Sequence, residues 1–121
     1  MKNLDFIRER LLNSADVSKN TITDSIQSLR ISEWSPKFER LMRVRLIMGA
    51  FRYGKLNSSG KACYDRLNAI NMHVIAYLKD GNDEHLVDIA NLSLCEFVEG
   101  THPKKHFEAV DDGEHAKIVS S

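Results

Sequence analysis

The sequence predicts an all-α protein with four to five helices and a central antiparallel helical hairpin. Apolar residues recur at spacings of three and four through most of the chain, which is the pattern of amphipathic helices. Alternating β-branched runs with turn dipeptides, which mark strands, do not occur. Two helical patterns, at about 61–80 and 84–99, are separated only by a short turn. We therefore expect these two helices to pack against each other as a hairpin.

Two helices are predicted in the N-terminal part of the chain. The first spans 3–13, and four apolar residues occupy one of its sides: Leu4, Ile7, Leu11 and Leu12. The second begins at Asp16 or Ser18, since either side chain can cap a helix, and it runs to about Leu29. We interpret residues 1–35 as a helical arm that precedes the core helices.

The third helix has the clearest boundary signals in the sequence. Ser35 is a good capping residue, and Pro36 suits the first turn of a helix because its missing N–H is not needed there. The apolar pattern continues to Tyr53, and Gly54 is a typical helix-ending residue. Residues 55–60 are rich in Ser, Asn and Gly, so we predict a loop there.

The fourth and fifth helices form the predicted hairpin. The fourth, at about 61–80, carries an apolar face that we expect to be buried, made of Tyr64, Leu67, Ile70, Val74 and Leu78. Gly81 ends this helix, Asn82 or Asp83 caps the next one, and Gly100 ends that one in turn.

Composition indicates a single soluble domain. A chain of 121 residues is of ordinary size for one domain, with core helices at 36–100 and a polar tail at 101–121. Seventeen basic and seventeen acidic residues cancel, so no net charge attracts nucleic acid or an anionic membrane. No apolar run reaches transmembrane length. Cys63 and Cys95 lack a CxxC spacing and are predicted to be buried free thiols, which fits the cytoplasm.

A narrow polar stripe on the fifth helix is the most informative feature. Glu84, Asp88, Asn91 and Cys95 follow one another at spacings of four, three and four, which places them on one side of a helix. Apolar residues border this stripe on both sides. Carboxylates in such surroundings must be paired, protonated or bound to a cation, and Mg²⁺ takes oxygen ligands of this kind. The alternative interpretation is an exposed seam in which Asp88 faces water.

The fourth helix contributes two asparagines to the region that faces the stripe. Asn71 lies near the centre of its apolar face and Asn68 at the edge, whereas Asp65 lies further round. A buried asparagine is costly unless it is hydrogen-bonded. Both asparagines are therefore interpreted either as ties between helices or as site residues.

Basic residues cluster in and just after the third helix, namely Arg40, Arg43, Arg45, Arg52 and Lys55. The planar guanidinium group suits phosphate oxygens. Arg52 and Lys55 are the candidate phosphate-binding residues because they flank the Tyr53 ring, which could stack on a base. Arg40 and Arg45 are interpreted as part of an ordinary solvated helix face.

Three segments of the chain, 48–54, 64–81 and 84–91, together resemble a known family. The first contains ArgTyrGly, the second ends in TyrLeuLysAspGly, and the third reads GluHisLeuValAspIleAlaAsn. They resemble the phage-encoded, MazG-like branch of the all-α nucleoside triphosphate pyrophosphohydrolases. The last segment, with the HisPro-containing tail at 102–107, is also similar to short uncharacterised phage proteins. The resemblance covers about half the chain, roughly 45–107.

This resemblance implies a MazG-like bundle that assembles as a homodimer or homotetramer. It also implies cleavage of a (deoxy)nucleoside triphosphate to the monophosphate and pyrophosphate, with Mg²⁺ as the cofactor. The family holds the metal with two acidic sets on successive helices. Asp88 matches the last aspartate of the second set, while Glu84 stands one residue early and His85 stands where a glutamate is expected.

The first acidic set of the family is largely replaced in this chain. Asp65, Asn68 and Asn71 stand where three acids would be expected. By resemblance, Glu84 and Asp88 are the candidate catalytic metal ligands, and Asp65 is a third metal ligand. The candidate substrate-binding residues are Arg52, Tyr53, Lys55, Asn68, Asn71 and Asn91.

Three functions are compatible with these features. The first is a Mg²⁺-dependent nucleoside triphosphate pyrophosphohydrolase. The second is a non-catalytic phage protein that sequesters a nucleotide or binds a host protein. Asn68 and Asn71 favour this second function, because an amide carries no negative charge to hold a metal ion. The third is a helical interaction module whose polar stripe lies in a subunit interface.

Overall fold

The computed structural model describes residues 23–109 of the chain. The described residues divide into two units, one containing 23–34 with 107–109 and the other 35–106. Four α-helices and no strand are present within residues 23–109, so the all-α prediction is confirmed. The predicted helix at 3–13 and the predicted start of the second helix lie outside the described residues, and the single-domain organisation stays a prediction.

The first described helix, α1, spans Ile26–Ser32 and belongs to the smaller unit. It begins after Ser25, whose hydroxyl oxygen accepts a hydrogen bond from the Ser28 N–H at 3.1 Å. This satisfies one of the backbone donors that the first turn of a helix leaves unpaired.

Helix α2 spans Pro36–Tyr53 and confirms the predicted boundaries. The Ser35 hydroxyl accepts from the Phe38 N–H at 3.1 Å, and proline occupies the first turn. At the other end Gly54 adopts φ 94°, in the region that favours glycine. The chain therefore turns sharply after Tyr53 and enters the loop that leads to the next helix.

Helix α3 spans Arg66–Asp80 and begins later than predicted. Asp65 is the capping residue, and its carboxylate accepts from the Asn68 N–H at 3.1 Å. Residues 61–65 are consequently not helical. Cys63 lies in this segment and is exposed, so the prediction that both cysteines are buried is wrong for Cys63.

Helix α4 spans Glu84–Glu99, as predicted. Asp83 occupies the cap position without a side-chain hydrogen bond, and the Asn82 side chain instead accepts from the Glu84 N–H at 3.0 Å. At the far end the Lys105 ammonium group donates to the Phe97 carbonyl at 2.8 Å. A cation bonded to the last carbonyls of a helix also interacts favourably with the helix dipole.

Within the larger unit α4 packs against both α3 and α2, so the predicted antiparallel hairpin of α3 and α4 is confirmed. The two most buried residues of the described part are both on α4, namely Val87, which is 4% exposed, and Asn91, which is 8% exposed. No helix of the described residues is long and apolar enough to cross a membrane.

The predicted buried face of the fourth helix is wrong. Tyr64, Leu67, Val74 and Leu78 are exposed, Leu78 by 79%, and only Ile70 is partly covered. The side of α3 that faces α4 is polar instead: Arg66 binds two glutamates of α4, and His73 contacts a histidine of α4. These polar contacts set the rotation of α3 and leave its apolar side on the surface, where Asn71 is exposed too.

Candidate functional site

The larger unit contains a cavity of about 870 Å³, between α2, the loop that follows it, the start of α3, and α4. Small-molecule sites commonly have volumes of about 300–1,000 Å³. Six of the predicted site residues line this cavity, namely Arg52, Tyr53, Lys55, Asp65, Asp88 and Asn91. Glu84, Asn68 and Asn71 do not line it. The structure therefore gathers the predicted phosphate-binding residues and part of the polar stripe, but not the two asparagines of α3.

The two acids of the polar stripe are bound by Arg45. The Asp88 carboxylate accepts from Nε and Nη2 of Arg45, each at 3.2 Å. The same Nη2 lies 2.8 Å from Oε1 of Glu84. This bidentate geometry is the strong form of an arginine–carboxylate pair, and the hydrogen bond with Asp88 raises the pKa of Arg45. The prediction that Arg45 lies on an ordinary solvated face is wrong.

This arrangement bears directly on the predicted magnesium ligands. Glu84 and Asp88 converge on one guanidinium nitrogen, so Arg45 stands where a cation bridging the two carboxylates would be. Asp65, the third predicted ligand, uses its carboxylate to cap α3. With Arg45 in this position, the donor set does not fit a divalent ion. Within residues 23–109 no group of three or more His, Cys, Asp or Glu side chains is arranged to hold a metal.

Asn91 joins α4 to α2 at the base of the cavity. Its side-chain N–H donates to the Met42 carbonyl at 3.0 Å, which fixes the orientation of the amide group. The other amide atom, Oδ1, is buried and has no hydrogen-bond partner. An unsatisfied buried acceptor costs about 1–3 kcal/mol. The structure thus gives Asn91 a role as a tie between helices, in addition to its place in the cavity wall.

A chain of four polar side chains runs from the hairpin turn to the cavity. Nδ1 of His73 lies 3.0 Å from Nδ1 of His85, and Nε2 of His85 lies 3.2 Å from Oδ2 of Asp80. At the other end Nε2 of His73 lies 4.0 Å from Oδ2 of Asp88. The contact with His85 contributes, after the backbone hydrogen bond from Asn82, to lowering the pKa of Asp80. Sequence reasoning missed His73, because its position on an apolar helix gives no sign of which partner it meets.

A second ionic cluster closes one end of the cavity. The Glu99 carboxylate accepts from the Asn57 N–H at 2.9 Å, from Lys61 Nζ at 3.0 Å and from Arg66 Nη2 at 2.6 Å. Arg66 also binds Glu96 at 3.0 Å. The Asn57 backbone hydrogen bond is the largest of the effects that lower the pKa of Glu99. This cluster anchors the loop after α2 to α4, and Asn57 itself adopts a left-handed φ of 61°.

Positive charge remains uncompensated at the aromatic side of the cavity. The rings of Tyr53 and Tyr64 lie edge to face, with centroids 5.3 Å apart, and the Arg52 guanidinium lies 5.9 Å from the Tyr53 centroid. Among the residues that the structure describes, neither Arg52 nor Lys55 forms an ion pair. Two cations and two phenol rings therefore line the same cavity.

Comparison of the chain with protein-family models, with curated proteins and with solved structures finds no match. The resemblance to the MazG-like pyrophosphohydrolases therefore rests on the sequence segments alone and stays a prediction. What the site can bind follows from its shape, its charges and its polar atoms.

Proposed function

We propose that the cavity binds a nucleotide, or a nucleotide-like phosphate, through its own cationic side chains. The observation that carries this proposal is that Arg52 and Lys55, which form no ion pair within residues 23–109, line the same cavity as the aromatic rings of Tyr53 and Tyr64. A ligand with several negative charges and one flat ring matches both the cations and the rings.

The phosphate end of the proposed ligand would lie against Arg52 and Lys55. Two of the three carboxylates that line the same cavity are paired with cations, Asp88 with Arg45 and Glu99 with Lys61 and Arg66, and the third, Asp65, caps α3. Arg52 and Lys55 are not engaged by Asp88 or Glu99 and are left to attract an anion. A guanidinium group can also hold two phosphate oxygens at once.

The base end would lie against the tyrosines. About half of the surface of Tyr53 and of Tyr64 is exposed, so each ring has a side that a ligand can reach. Stacking of a base on an aromatic side chain contributes about 1–3 kcal/mol and tolerates different bases. This tolerance fits a site whose walls show no dedicated set of donors and acceptors for one base.

Binding in this site is proposed to be independent of Mg²⁺, because the Arg45 guanidinium already occupies the position between Glu84 and Asp88 that a metal ion would need. This favours a non-catalytic protein that sequesters a nucleotide. Pyrophosphohydrolase activity is the second candidate. The convergence of Glu84 and Asp88 on one cation position favours it, since the family that the sequence resembles places its metal between such acids. The same proposal places the protein in the cytoplasm, where nucleotides are found.

Thermal unfolding with a panel of nucleoside triphosphates, with and without Mg²⁺, tests this proposal, because a ligand that binds the native state raises the unfolding temperature. The double variant Arg52→Ala, Lys55→Ala is expected to lose the stabilisation. Arg40→Ala is the matched control, since Arg40 lies on the same helix outside the cavity. A rise in the unfolding temperature that needs Mg²⁺, together with release of pyrophosphate, would favour the hydrolase. No rise with any nucleotide would refute both the non-catalytic nucleotide binder and the hydrolase.

A homo-oligomer is the second part of the proposal. Helix α2 exposes five large apolar residues, of which Ile47 and Met48 also line the cavity, namely Leu41, Val44, Ile47, Met48 and Phe51. Four of them, at 41, 44, 48 and 51, alternate spacings of three and four, as in the seam of a helix that packs on another helix. Soluble monomers rarely expose such continuous apolar faces. A second copy of this chain is the proposed occupant, and a host protein is the alternative.

A further inference from the structure

We propose that α3 forms a contact of its own between copies of this chain, in which two α3 helices pack antiparallel with Asn71 of each copy at the centre. This contact goes beyond the proposed function, because it uses a different helix from the apolar face of α2 and does not depend on a ligand. Two separate symmetric contacts on one chain, through α2 and through α3, give a closed tetramer.

The uncovered face of α3 lies opposite the side that contacts α4. Arg66 and His73 face α4 and form their polar contacts there. On the other side of the helix Leu67, Ile75 and Leu78 are each more than half exposed. Soluble proteins rarely leave a continuous apolar face of this kind open to water unless it is an interaction surface. The polar contacts with α4 thus direct an apolar face outward.

The spacing along this face is that of a helix that packs on another helix. Leu67, Asn71, Val74 and Leu78 follow one another at four, three and four residues, which is the heptad spacing of a coiled coil. We call these four residues the α3 seam, and all of them are exposed. A helix face that stays in water normally carries charged residues, whereas the α3 seam has none.

Asn71 determines which helix fits the α3 seam. A helix that covers the seam takes the amide of Asn71 out of water, which is costly unless the amide is hydrogen-bonded. An amide both donates and accepts, so Asn71 of a second copy satisfies it when a two-fold axis passes between the two side chains. In an antiparallel pair Leu67 then faces Ile75 of the other copy, since each lies four residues from Asn71. One asparagine in an apolar seam specifies register in this way.

The apolar face of α2 is a poorer partner for the α3 seam. Packing of α3 on α2 of another copy would leave the Asn71 amide without a hydrogen-bond partner, because the α2 side chains at the matching spacing carry no nitrogen or oxygen. These residues are Leu41, Val44, Met48 and Phe51. The polar residue that fits a second α3 therefore disfavours the pairing of α3 with α2.

Charges at the edge of the face select the antiparallel orientation. Asp65 caps the N-terminal end of α3, Lys79 lies near the C-terminal end, and both are exposed. They are about four helical turns apart, so both lie toward the same edge of the face. With Asn71 on the two-fold axis, Lys79 of each antiparallel helix lies beside Asp65 of the other. A parallel pair would instead place each charge level with the same charge of the other copy.

Disulfide cross-linking tests the contact and its orientation. Leu67→Cys and Ile75→Cys are each made in a Cys63→Ser background, which removes the exposed native thiol. A disulfide forms only between side chains that lie close together. The antiparallel contact therefore predicts that the two variants cross-link to each other when they are mixed and oxidised, and that neither cross-links alone. Met72→Cys is the control for chance collisions, because it is exposed beside the α3 seam, and it should not cross-link to Ile75→Cys.

Cross-linking of Leu67→Cys or Ile75→Cys alone would overturn the antiparallel orientation. Absence of a cross-link in their mixture would overturn the contact itself. Neither result bears on the cavity or on nucleotide binding, which are tested separately.

Light scattering separates the α3 contact from the proposed contact of α2. The wild type is expected to have the mass of a tetramer, Leu78→Glu and Phe51→Glu the mass of a dimer, and the double variant the mass of a monomer. A dimeric wild type that Leu78→Glu converts to a monomer would support the α3 contact and refute that of α2. A Leu78→Glu variant with the mass of the wild type, or a monomeric Phe51→Glu, would overturn the α3 contact.

Replacement of Asn71 by leucine tests its role in specifying the pair. A wholly apolar seam still associates but no longer selects one register or orientation. Asn71→Leu combined with Leu67→Cys, in the Cys63→Ser background, is therefore expected to cross-link alone, which Leu67→Cys with Asn71 present does not. If the combined variant also failed to cross-link alone while its mixture with Ile75→Cys still did, Asn71 would not be the residue that sets the contact.

Discussion

Arg45 of α2 donates two hydrogen bonds to the carboxylate of Asp88 on α4, each 3.2 Å long, across the helix pair that forms the floor of the cavity. The Asp88 side chain is only 18% exposed, so its charge depends on this partner. One residue thereby neutralises the central acid of the polar stripe, joins two helices and occupies the position that a metal would need.

Replacement of Arg45 by alanine is expected to lower the free energy of unfolding by about 1–2 kcal/mol, because Asp88 would keep its charge in a partly buried position without a partner. The effect is smaller than for a fully buried pair, since water reaches Arg45 and screens the interaction. Urea unfolding measures it. Arg43→Ala is the control, as the Arg43 side chain is 73% exposed and pairs with Glu39. Equal losses in both variants would contradict this account of Arg45.

Acid conditions are expected to weaken the attachment of the loop after α2. The pKa of Glu99 is below its ordinary value of 4.5 in the folded protein, chiefly through the hydrogen bond from the Asn57 N–H. A lowered folded pKa means that the stabilisation is complete above the ordinary pKa and is lost as the pH falls through the folded value. Urea unfolding of the wild type should therefore show a loss of stability below about pH 4.5, and Glu99→Gln should show less of this loss.

The control for this pH experiment is Glu39→Gln, which removes a partly exposed glutamate of α2 that pairs with Arg43. Its pH dependence should follow that of the wild type. If Glu99→Gln kept the full acid dependence, the carboxylate of Glu99 would not be the group that links loop anchoring to pH.

The apolar side of α2 offers a test of self-association. Val44 and Phe51 are exposed by 50% and 90%, and a glutamate at either position would place a charge in an interface that excludes water. Light scattering after size exclusion should give a larger mass for the wild type than for Val44→Glu or Phe51→Glu. Arg43→Glu changes the charge of an exposed polar position on the same helix and should leave the mass unchanged. A monomeric wild type would refute the homo-oligomer and direct attention to a partner protein.

Local signals explain which parts of the fold could be predicted from the sequence. The boundaries of α2 follow from Ser35, Pro36 and Gly54, which act on their immediate neighbours. The rotation of α3 could not be predicted in this way. It depends on contacts of Arg66 and His73 with residues of α4 that are distant in the sequence, and the apolar pattern of α3 pointed to the opposite side.

The contrast between local signals and contacts made by residues distant in the sequence also applies to the site. Arg52, Tyr53 and Lys55 are consecutive or nearly so, and all three line the cavity, while their predicted roles in binding stay a prediction. Arg45 and His73 were missed because each gains its role from a partner on another helix. A basic residue on an amphipathic helix is usually solvated, and nothing in the sequence marks the one that reaches a buried carboxylate.

Removal of Arg45 should also reveal whether the polar stripe can hold a metal. Glu84 and Asp88 both contact the same guanidinium nitrogen, so Arg45→Ala leaves two carboxylates directed at one position that no longer holds a cation. Millimolar Mg²⁺ is then expected to raise the unfolding temperature of Arg45→Ala, because a divalent ion relieves the repulsion between the two acids. The wild type should show no such increase, since its own guanidinium competes with the ion. The double variant Arg45→Ala, Asp88→Asn should lose this rise in unfolding temperature. If Mg²⁺ raised the unfolding temperature of the wild type as much as that of Arg45→Ala, Arg45 would not be the group that excludes the metal.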